Sequence, residues 1–315
     1  MSKQYALVTG AAGFIGARLT ETLIERGRNV IALDCFLPDL YSAEVKRGRW
    51  ERLVGQESEQ LIKINFDLRK DDFAKLSSYE INSVFNEAAM PGLIQDWGKF
   101  QPYYDCNISA LNRLLEFVRN KSIKAFIHAS TSSVYGKKAV GKENQDLRPT
   151  SPYGVSKLAA EKLLQAYLEW HGTPIKILRY FSVYGPSQRP DMAFARIINS
   201  LKTGREFIIY GDGEQRRSST YLDDVVEATL LSEQKAESGD VINVCGDETV
   251  SLNKAIEVIE SYAGISLNKR YVEGRIGDQR ETSGCNCFAK QRLGWSAKIS
   301  LDYGLESQVR FDLNT

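Results

Sequence analysis

Near its start the chain runs Tyr5-Ala6-Leu7-Val8-Thr9-Gly10-Ala11-Ala12-Gly13-Phe14-Ile15-Gly16, an apolar run that passes through three glycines into a segment of helical period. No other stretch restricts the fold so strongly. A strand that turns at once into a helix needs Gly10 for the tight turn, Gly13 so that only backbone lies at the face of the turn, and Gly16 so that the helix can lie close against the strand. The helix then presents unpaired N–H groups at its N-terminus, a ready site for a dinucleotide pyrophosphate. Gly10, Gly13, Phe14, Ile15 and Gly16 are therefore assigned to a cofactor. Neither Lys-Ser nor Lys-Thr follows the glycines, so a nucleoside-triphosphate loop is not indicated.

The same alternation continues downstream. Short runs at Tyr5–Thr9, Asn29–Asp34, Leu61–Asn65, Ser83–Asn86, Lys124–Ser130 and Ile175–Tyr180 read as strands, separated by longer stretches of helical period. Ala17–Arg26 places Leu19, Leu23 and Ile24 on one face and stops at Gly27, and Asn107–Asn120 and Pro152–Trp170 read as two more helices. Such a pattern demands a parallel sheet covered on both faces. The expected fold is α/β, a doubly wound Rossmann sheet with a smaller C-terminal α/β domain for the substrate. Residues 1–181 form the first domain, to which about 222–249 return through the β-branched run Val241–Cys245; residues 182–315, broken by turns at Gly185-Pro186 and Gly211-Asp212-Gly213, form the second.

Charge and composition exclude several classes. With 41 basic and 40 acidic side chains in 315 residues, the net charge of +1 gives no reason to expect nucleic acid or an anionic membrane as partner. No apolar stretch reaches the roughly 18–20 residues that span a bilayer. The two histidines are His128, inside the apolar run Ala125–Ala129, and His171, before Gly172 at a helix end; they read as a satisfied strand residue and a helix-end cation. Neither histidine chemistry nor a metal is expected. Five scattered cysteines with no signal peptide ahead of them point to a reducing, cytoplasmic setting. Cys285-Asn286-Cys287 is too close a pair for a zinc knuckle and reads as small, partly buried side chains.

Three further features carry chemistry. Asp34 ends the second strand 18 residues after Gly16, where a carboxylate accepts hydrogen bonds from the adenosine ribose and repels a 2′-phosphate, favouring NAD over NADP. Arg18 and Arg28 are the nearby bases that would have to reverse that preference, and they read as surface residues. Tyr153 and Lys157 stand at i and i+4 on one helical face, and the hydroxyl-rich stretch Ser130-Thr131-Ser132-Ser133 leaves the C-terminal end of a strand, the edge at which ligands bind in open α/β sheets. A hydroxyl, a tyrosine and a lysine beside a nicotinamide make a hydride-transfer site. The ammonium and the cationic ring both favour phenolate, so Tyr153 is expected to act as a base near neutral pH.

Taken together these residues resemble the extended short-chain dehydrogenase/reductase family, and within it the nucleotide-sugar epimerases and dehydratases. The resemblance spans nearly the whole chain: the three glycines, Phe66-Asp67-Leu68, Glu87-Ala88-Ala89, Asn107 opening a helix, Ser130 to Gly136, the Tyr153/Lys157 pair, and Arg179-Tyr180-Phe181-Ser182-Val183-Tyr184-Gly185-Pro186. In the second half, Gly211-Asp212-Gly213 followed by Gln215, Arg217 and Thr220-Tyr221-Leu222-Asp223-Asp224, and later Arg275-Ile276-Gly277-Asp278, resemble the family's substrate-domain signatures. By that resemblance Thr131, Tyr153 and Lys157 are catalytic, and Asp34, Asp67, Leu68, Ala88, Ala89 and Asn107 join the cofactor site. Arg217 and Arg275 would grip the diphosphate of a nucleotide sugar, with Met90, Ser132, Ser182 and Asp278 around it. The resemblance also implies a homodimer formed by the Asn107–Asn120 and Pro152–Trp170 helices.

Two reactions share the same opening step. A 4-epimerase oxidises C4 of the sugar and reduces the ketone from its other face; a dehydratase follows that oxidation with loss of water, which needs an additional acid and base. Typical 4,6-dehydratases of the family carry Asp-Glu directly after the catalytic Thr, where this chain has Ser132 and Ser133. A dinucleotide-binding protein without catalysis would not need the Thr131, Tyr153 and Lys157 set. The sequence reading is thus an NAD-dependent nucleotide-sugar 4-epimerase, with a UDP-sugar as the expected substrate, and with Glu87 and Cys106 as further residues near the nicotinamide, either of which would supply a proton in a dehydratase.

Overall fold

The computed structural model describes residues 3–38, 41–55, 60–92, 97–274 and 280–314. Strands β1 (Gln4–Thr9), β2 (Asn29–Asp34), β3 (Leu61–Asn65), β4 (Glu80–Asn86) and β5 (Ala125–Thr131) follow one another, with helices α1 (Phe14–Glu25), α2 (Ala43–Arg52), α3 (Gln101–Tyr104) and α4 (Ala110–Val118) between them. Then come β6 (Ala139–Gly141), α5 (Pro152–His171), β7 (Ile175–Tyr180), β8 (Ser182–Tyr184), α6 (Ala193–Thr203), β9 (Phe207–Tyr210), β10 (Arg216–Tyr221), α7 (Leu222–Lys235) and β11 (Val241–Val244). The chain closes with β12 (Thr249–Ser251), α8 (Leu252–Ala263), β13 (Lys269–Val272), β14 (Glu281–Gly284), α9 (Cys287–Leu293) and α10 (Leu301–Asn314).

Seven of these strands form one parallel sheet in the order β3-β2-β1-β4-β5-β7-β11. Buried on both faces, they carry the continuous apolar runs seen in the sequence, and all six residues of β7 are buried. One face packs Leu19 and Leu23 of α1 with Val225 and Val226 of α7; the other packs Leu111, Leu114 and Leu115 of α4 with Leu164 of α5. Strand order reverses between β1 and β4, which opens a crevice at their C-terminal ends. Strand β11 pairs with β7 from Val241 opposite Ile177 to Val244 opposite Tyr180, so the late run rejoins the first sheet.

Beyond the sheet, β8, β10, β12, β14 and β6 form a second, smaller sheet, and β9 pairs with β13. Phe194 and Ile197 of α6, Ile256 and Ile259 of α8, and Leu305 of α10 fill a separate core there. No helix among the described residues is long and apolar enough to cross a membrane.

Several local readings change. Helix α1 begins at Phe14 rather than Ala17, because Gly13 itself is the N-cap and the turn leads straight into the helix. The helix expected from Asn107 starts at Gln101 and passes through a π-helical turn at Asp105–Ser109 before α4. Cys285 and Cys287 are not two separate thiols: they form a disulfide with Cα atoms 5.4 Å apart, while Cys35, Cys106 and Cys245 are free. Between the two cysteines, the buried Asn286 amide donates to the Cys245 carbonyl at 3.1 Å and to the Asp247 carboxylate at 2.9 Å.

Candidate active site

Gly10 adopts φ +68°, and a Cβ there would stand 2.8 Å from the backbone nitrogen of Ala88. At Gly16 a Cβ would meet the Gly10 carbonyl oxygen at 2.2 Å, so α1 lies against the turn as closely as backbone allows. The N-terminus of α1 carries no side-chain cap and no acidic residue in its first turn, which leaves its N–H groups for an external anion. Asp34, at the end of β2, accepts from the amide of Ala12 at 3.0 Å and from that of Phe36 at 2.7 Å. Each of its carboxylate oxygens keeps a lone pair for a ligand hydroxyl. Arg18 and Arg28 point elsewhere, to Asp223 and Glu233 of α7, and so do not offset Asp34.

A cavity of about 570 Å³ runs from this turn across the ends of β1, β4, β5 and β7. Its walls bring together Gly10, Gly13, Phe14, Ile15, Gly16, Asp34, Asp67, Leu68, Ala88, Ala89, Met90, Thr131, Ser132, Tyr153, Lys157 and Ser182. Two candidates lie apart from it. Asn107 is buried behind the wall, where its side chain holds both backbone groups of Met90, accepting at 2.7 Å and donating at 3.1 Å, and donates to Ser156 at 2.9 Å. It shapes the Met90 loop from the π-helical turn rather than facing a ligand. Arg217 lies on β10, outside this cavity. Arg275 and Asp278 lie outside the described residues. Arg69 takes up both oxygens of Asp67, whose carboxyl it holds below its ordinary value.

Local packing sets the positions of Thr131, Tyr153 and Lys157. Ser151 caps α5 by accepting from Gly154, and Pro152 opens the first turn, so Tyr153 stands at the helix entry and Lys157 one turn on. Gly154 is where α5 meets the end of β5: a Cβ there would lie 2.7 Å from the Ser133 carbonyl oxygen. That contact brings Tyr153 within hydrogen-bonding reach of Thr131. One turn beyond Lys157, Glu161 forms a buried ion pair with Arg179 of β7 at 2.7 Å, and Arg179 also donates to Tyr135 at 2.8 Å. The Arg-Tyr-Phe motif therefore begins with a residue that fixes α5 against the sheet.

Burial pushes the Tyr153 phenol above its usual 10, opposed foremost by the positive charge of Arg189 and then by the Thr131 hydrogen bond. The positive charge and the hydrogen bond thus offset burial only in part. Burial lowers Lys157 to about 8. Its ammonium lies 3.1 Å from Nε2 of His128, whose Nδ1 lies 2.9 Å from the Asn86 amide. His128 is a satisfied buried residue, as its apolar setting suggests, but its partner is Lys157. Burial, and next the neighbouring ammonium, hold the ring well below 6.5, hence neutral. The Asn86 amide nitrogen faces Nδ1, and the Asn86 oxygen accepts from the Thr9 hydroxyl at 2.7 Å.

Sequence reasoning overlooked Arg189. It follows the Gly185-Pro186 turn, lines the cavity beside Met192 and Tyr153, and pairs with Asp191 through Nε at 3.0 Å and Nη2 at 2.7 Å. Burial works against its charge, and Asp191 more than compensates, raising it above its ordinary value. Its loop is anchored from two sides, by Arg49 of α2 donating to the Ser187 carbonyl at 2.7 Å and by Asp312 of α10 accepting from the Ser187 amide at 3.0 Å. Only its charge and the turn before it were visible in the sequence.

Residues 6–245 match the NAD dependent epimerase/dehydratase family. Among curated relatives, a Bacillus subtilis (strain 168) protein named as an uncharacterized UDP-glucose epimerase, YtcB, is 41% identical over 97% of this chain and 96% of its own length. A UDP-glucuronate 4-epimerase of Thermodesulfobacterium geofontis (strain OPF15) is 34% identical over 98% of this chain and 95% of its own. Among solved structures, the UDP-glucuronic acid 4-epimerase from Bacillus cereus, in complex with UDP-glucuronic acid and NAD, superposes with a TM-score of 0.92 at 37% identity, covering 98% of this chain and 99% of that one.

Proposed function

The chain belongs to the NAD dependent epimerase/dehydratase family, and we propose that within it the protein is an NAD-dependent UDP-sugar 4-epimerase whose preferred substrate is a UDP-hexuronate such as UDP-glucuronate. The observation that carries the choice of sugar is Arg189, an enclosed guanidinium at the same end of the cavity as Tyr153. Asp191 occupies its Nε and Nη2, and Nη1 remains for a carboxylate at C6. The hydroxyls of Ser132, Ser133 and Ser182 line the same end.

NAD fits the residues present: the uncapped start of α1 would hold the pyrophosphate, the backbone at Gly10 and Gly13 would leave room for it, and Asp34 would take the adenosine ribose. Asp67, Leu68, Ala88 and Ala89 line the rest of its path. When bound, NAD accepts a hydride from C4 of the sugar and returns it to the opposite face. The protein's part is proton transfer and orientation. Tyr153, as phenolate, takes the proton of the C4 hydroxyl and gives it back to the ketone oxygen after the sugar has turned, and Thr131 holds that oxygen from its other side. Lys157 remains charged at neutral pH and favours the phenolate. Residues 1–181 with 222–249 are assigned to the cofactor and 182–315 to the sugar nucleotide, whose diphosphate Arg217 and Arg275 would hold, with Asp278 beside them. A cytoplasmic setting suits an enzyme that draws on NAD and UDP-sugars. A homodimer through α4 and α5 is supported by Tyr104, 45% exposed on α3, and Trp170, 83% exposed at the end of α5.

Incubation of the purified protein with UDP-glucuronate and NAD tests this reading. The expected product has unchanged mass and an inverted C4 by NMR; loss of water would make the protein a dehydratase. Arg189→Leu should lower kcat/KM for UDP-glucuronate by roughly a hundredfold, the scale of losing a charge-assisted contact in an enclosed site, and for UDP-glucose far less. Equal losses on both sugars would remove Arg189 from carboxylate recognition.

A further inference from the structure

Glu87 follows β4 directly, and its backbone adjoins the glycine turn, since a Cβ on Gly10 would meet the Glu87 carbonyl carbon at 3.0 Å. Its side chain is packed by protein and forms part of the cavity wall. Tyr180, the last residue of β7, donates to Oε1 at 3.0 Å and is itself bonded to Thr229 of α7 at 2.7 Å. Among the described residues Glu87 forms no ion pair. A carboxyl in such a place is costly to ionise without a cation beside it. A dinucleotide with its phosphates at the start of α1 and its reactive ring beside Thr131 and Tyr153 must cross the interval that Glu87 borders.

We propose that Glu87, with Tyr180 as its hydrogen-bond donor, is an ionisable wall of the cofactor pocket that selects the cationic, oxidised nicotinamide over its neutral reduced form. The ionisable groups facing it are Lys157 and Tyr153 from α5 and Tyr180 from β7. Burial raises its carboxyl to about 7, against the Tyr180 hydrogen bond and the charge of Lys157, so its ionisation falls in the working range of pH. Below that value a neutral acid gives no preference between the two forms; above it the carboxylate attracts the ring only while the ring is positive. Oxidation of the sugar alcohol removes that positive charge, and the carboxylate then favours returning the hydride to the ketone. For a hexuronate, a consequence that rests on the function proposed above, the C4 ketone is a β-keto acid prone to lose its carboxylate as carbon dioxide. Shortening its lifetime protects the substrate.

The test measures binding of NAD and of NADH to the full-length chain by fluorescence titration across neutral pH, without any sugar. In the native protein the ratio of the NADH to the NAD dissociation constant should rise by roughly tenfold or more as pH passes through about 7, the scale of one unit charge at short range in a protein interior. Glu87→Gln, a neutral near-isostere, should hold the ratio at its low-pH level through that range, leaving only the change due to Lys157 near pH 8. Tyr180→Phe removes a donor that stabilises the carboxylate, so the transition should move to higher pH; a merely structural role for the pair would not move it. An unchanged pH course in either variant overturns the proposal. Because no sugar is present, that failure would leave the epimerase reading intact, and a protein that failed to epimerise would still yield the ratio.

Discussion

Tyr153 and Lys157 could be found by spacing because an i, i+4 pair on a helix needs only local geometry to share a face. What surrounds them could not. Arg189 arrives from a loop 36 positions after Tyr153, His128 from β5 and Glu87 from the end of β4, so each meets the pair only once the sheet has formed. Taken alone, a histidine in an apolar run and a glutamate after a strand have bland explanations, and only the hydrogen bond to Lys157 and the common cavity give them others. At this scale Tyr153→Phe should lower turnover by about 10²–10⁴-fold, the usual range for loss of a general acid–base, with NAD affinity nearly unchanged. Steady-state rates beside NAD titration check it, and near-native turnover would remove Tyr153 from the proton-transfer role.

The elements explain why the motifs have the residues they do. In Tyr153-Gly154-Val155-Ser156-Lys157 the glycine admits the Ser133 carbonyl and the serine takes the Asn107 amide, so two of the five residues serve the docking of α5. Helix α1 depends on Gly16 in the same way. Gly16→Ala places a methyl group 2.2 Å from the Gly10 oxygen, a clash with backbone that cannot swing aside. The variant should be less stable by roughly 1–3 kcal/mol, as overpacked sites are, and should bind NAD more weakly because the turn has to move. Thermal unfolding and NAD titration read the two effects, and native values in both would show that the turn accommodates the methyl at no cost. The π-helical turn at Asp105–Ser109 escaped the sequence because its cause is distant: Asn107 is held by Met90 and Ser156, neither a neighbour in the helix.

Across the whole molecule, the parallel sheet and the reversal at β1 place the glycine turn, Thr131, Tyr153 and Lys157, and the Arg189 loop along one cavity. Strand β11 and helix α7 tie residues far along the chain back to the first sheet, with Arg28 and Glu233 joined by two hydrogen bonds of 3.0 Å. The outer side of α3 and α5 leaves Tyr104 and Trp170 facing away from the core. If that side pairs with a second copy, light scattering of the full chain should give twice the mass of 35.4 kDa, and a charge at Trp170, as in Trp170→Glu, should shift it toward monomer. A monomer at all working concentrations would end the dimer proposal.

By itself the sequence determined the class of fold, the cofactor turn and the Tyr153/Lys157 pair, because alternation, glycine spacing and helical period act over a few residues and leave periodic traces. Only the tertiary structure decided which charges share the cavity with them: Arg189 beside Tyr153, Glu87 under Tyr180, and His128 against Lys157. It also decided that Asn107 stands behind the cavity wall, holding the Met90 backbone and Ser156. The reason is that burial and electrostatic coupling depend on distances through space, and sequence separation says nothing about these until the strands have paired.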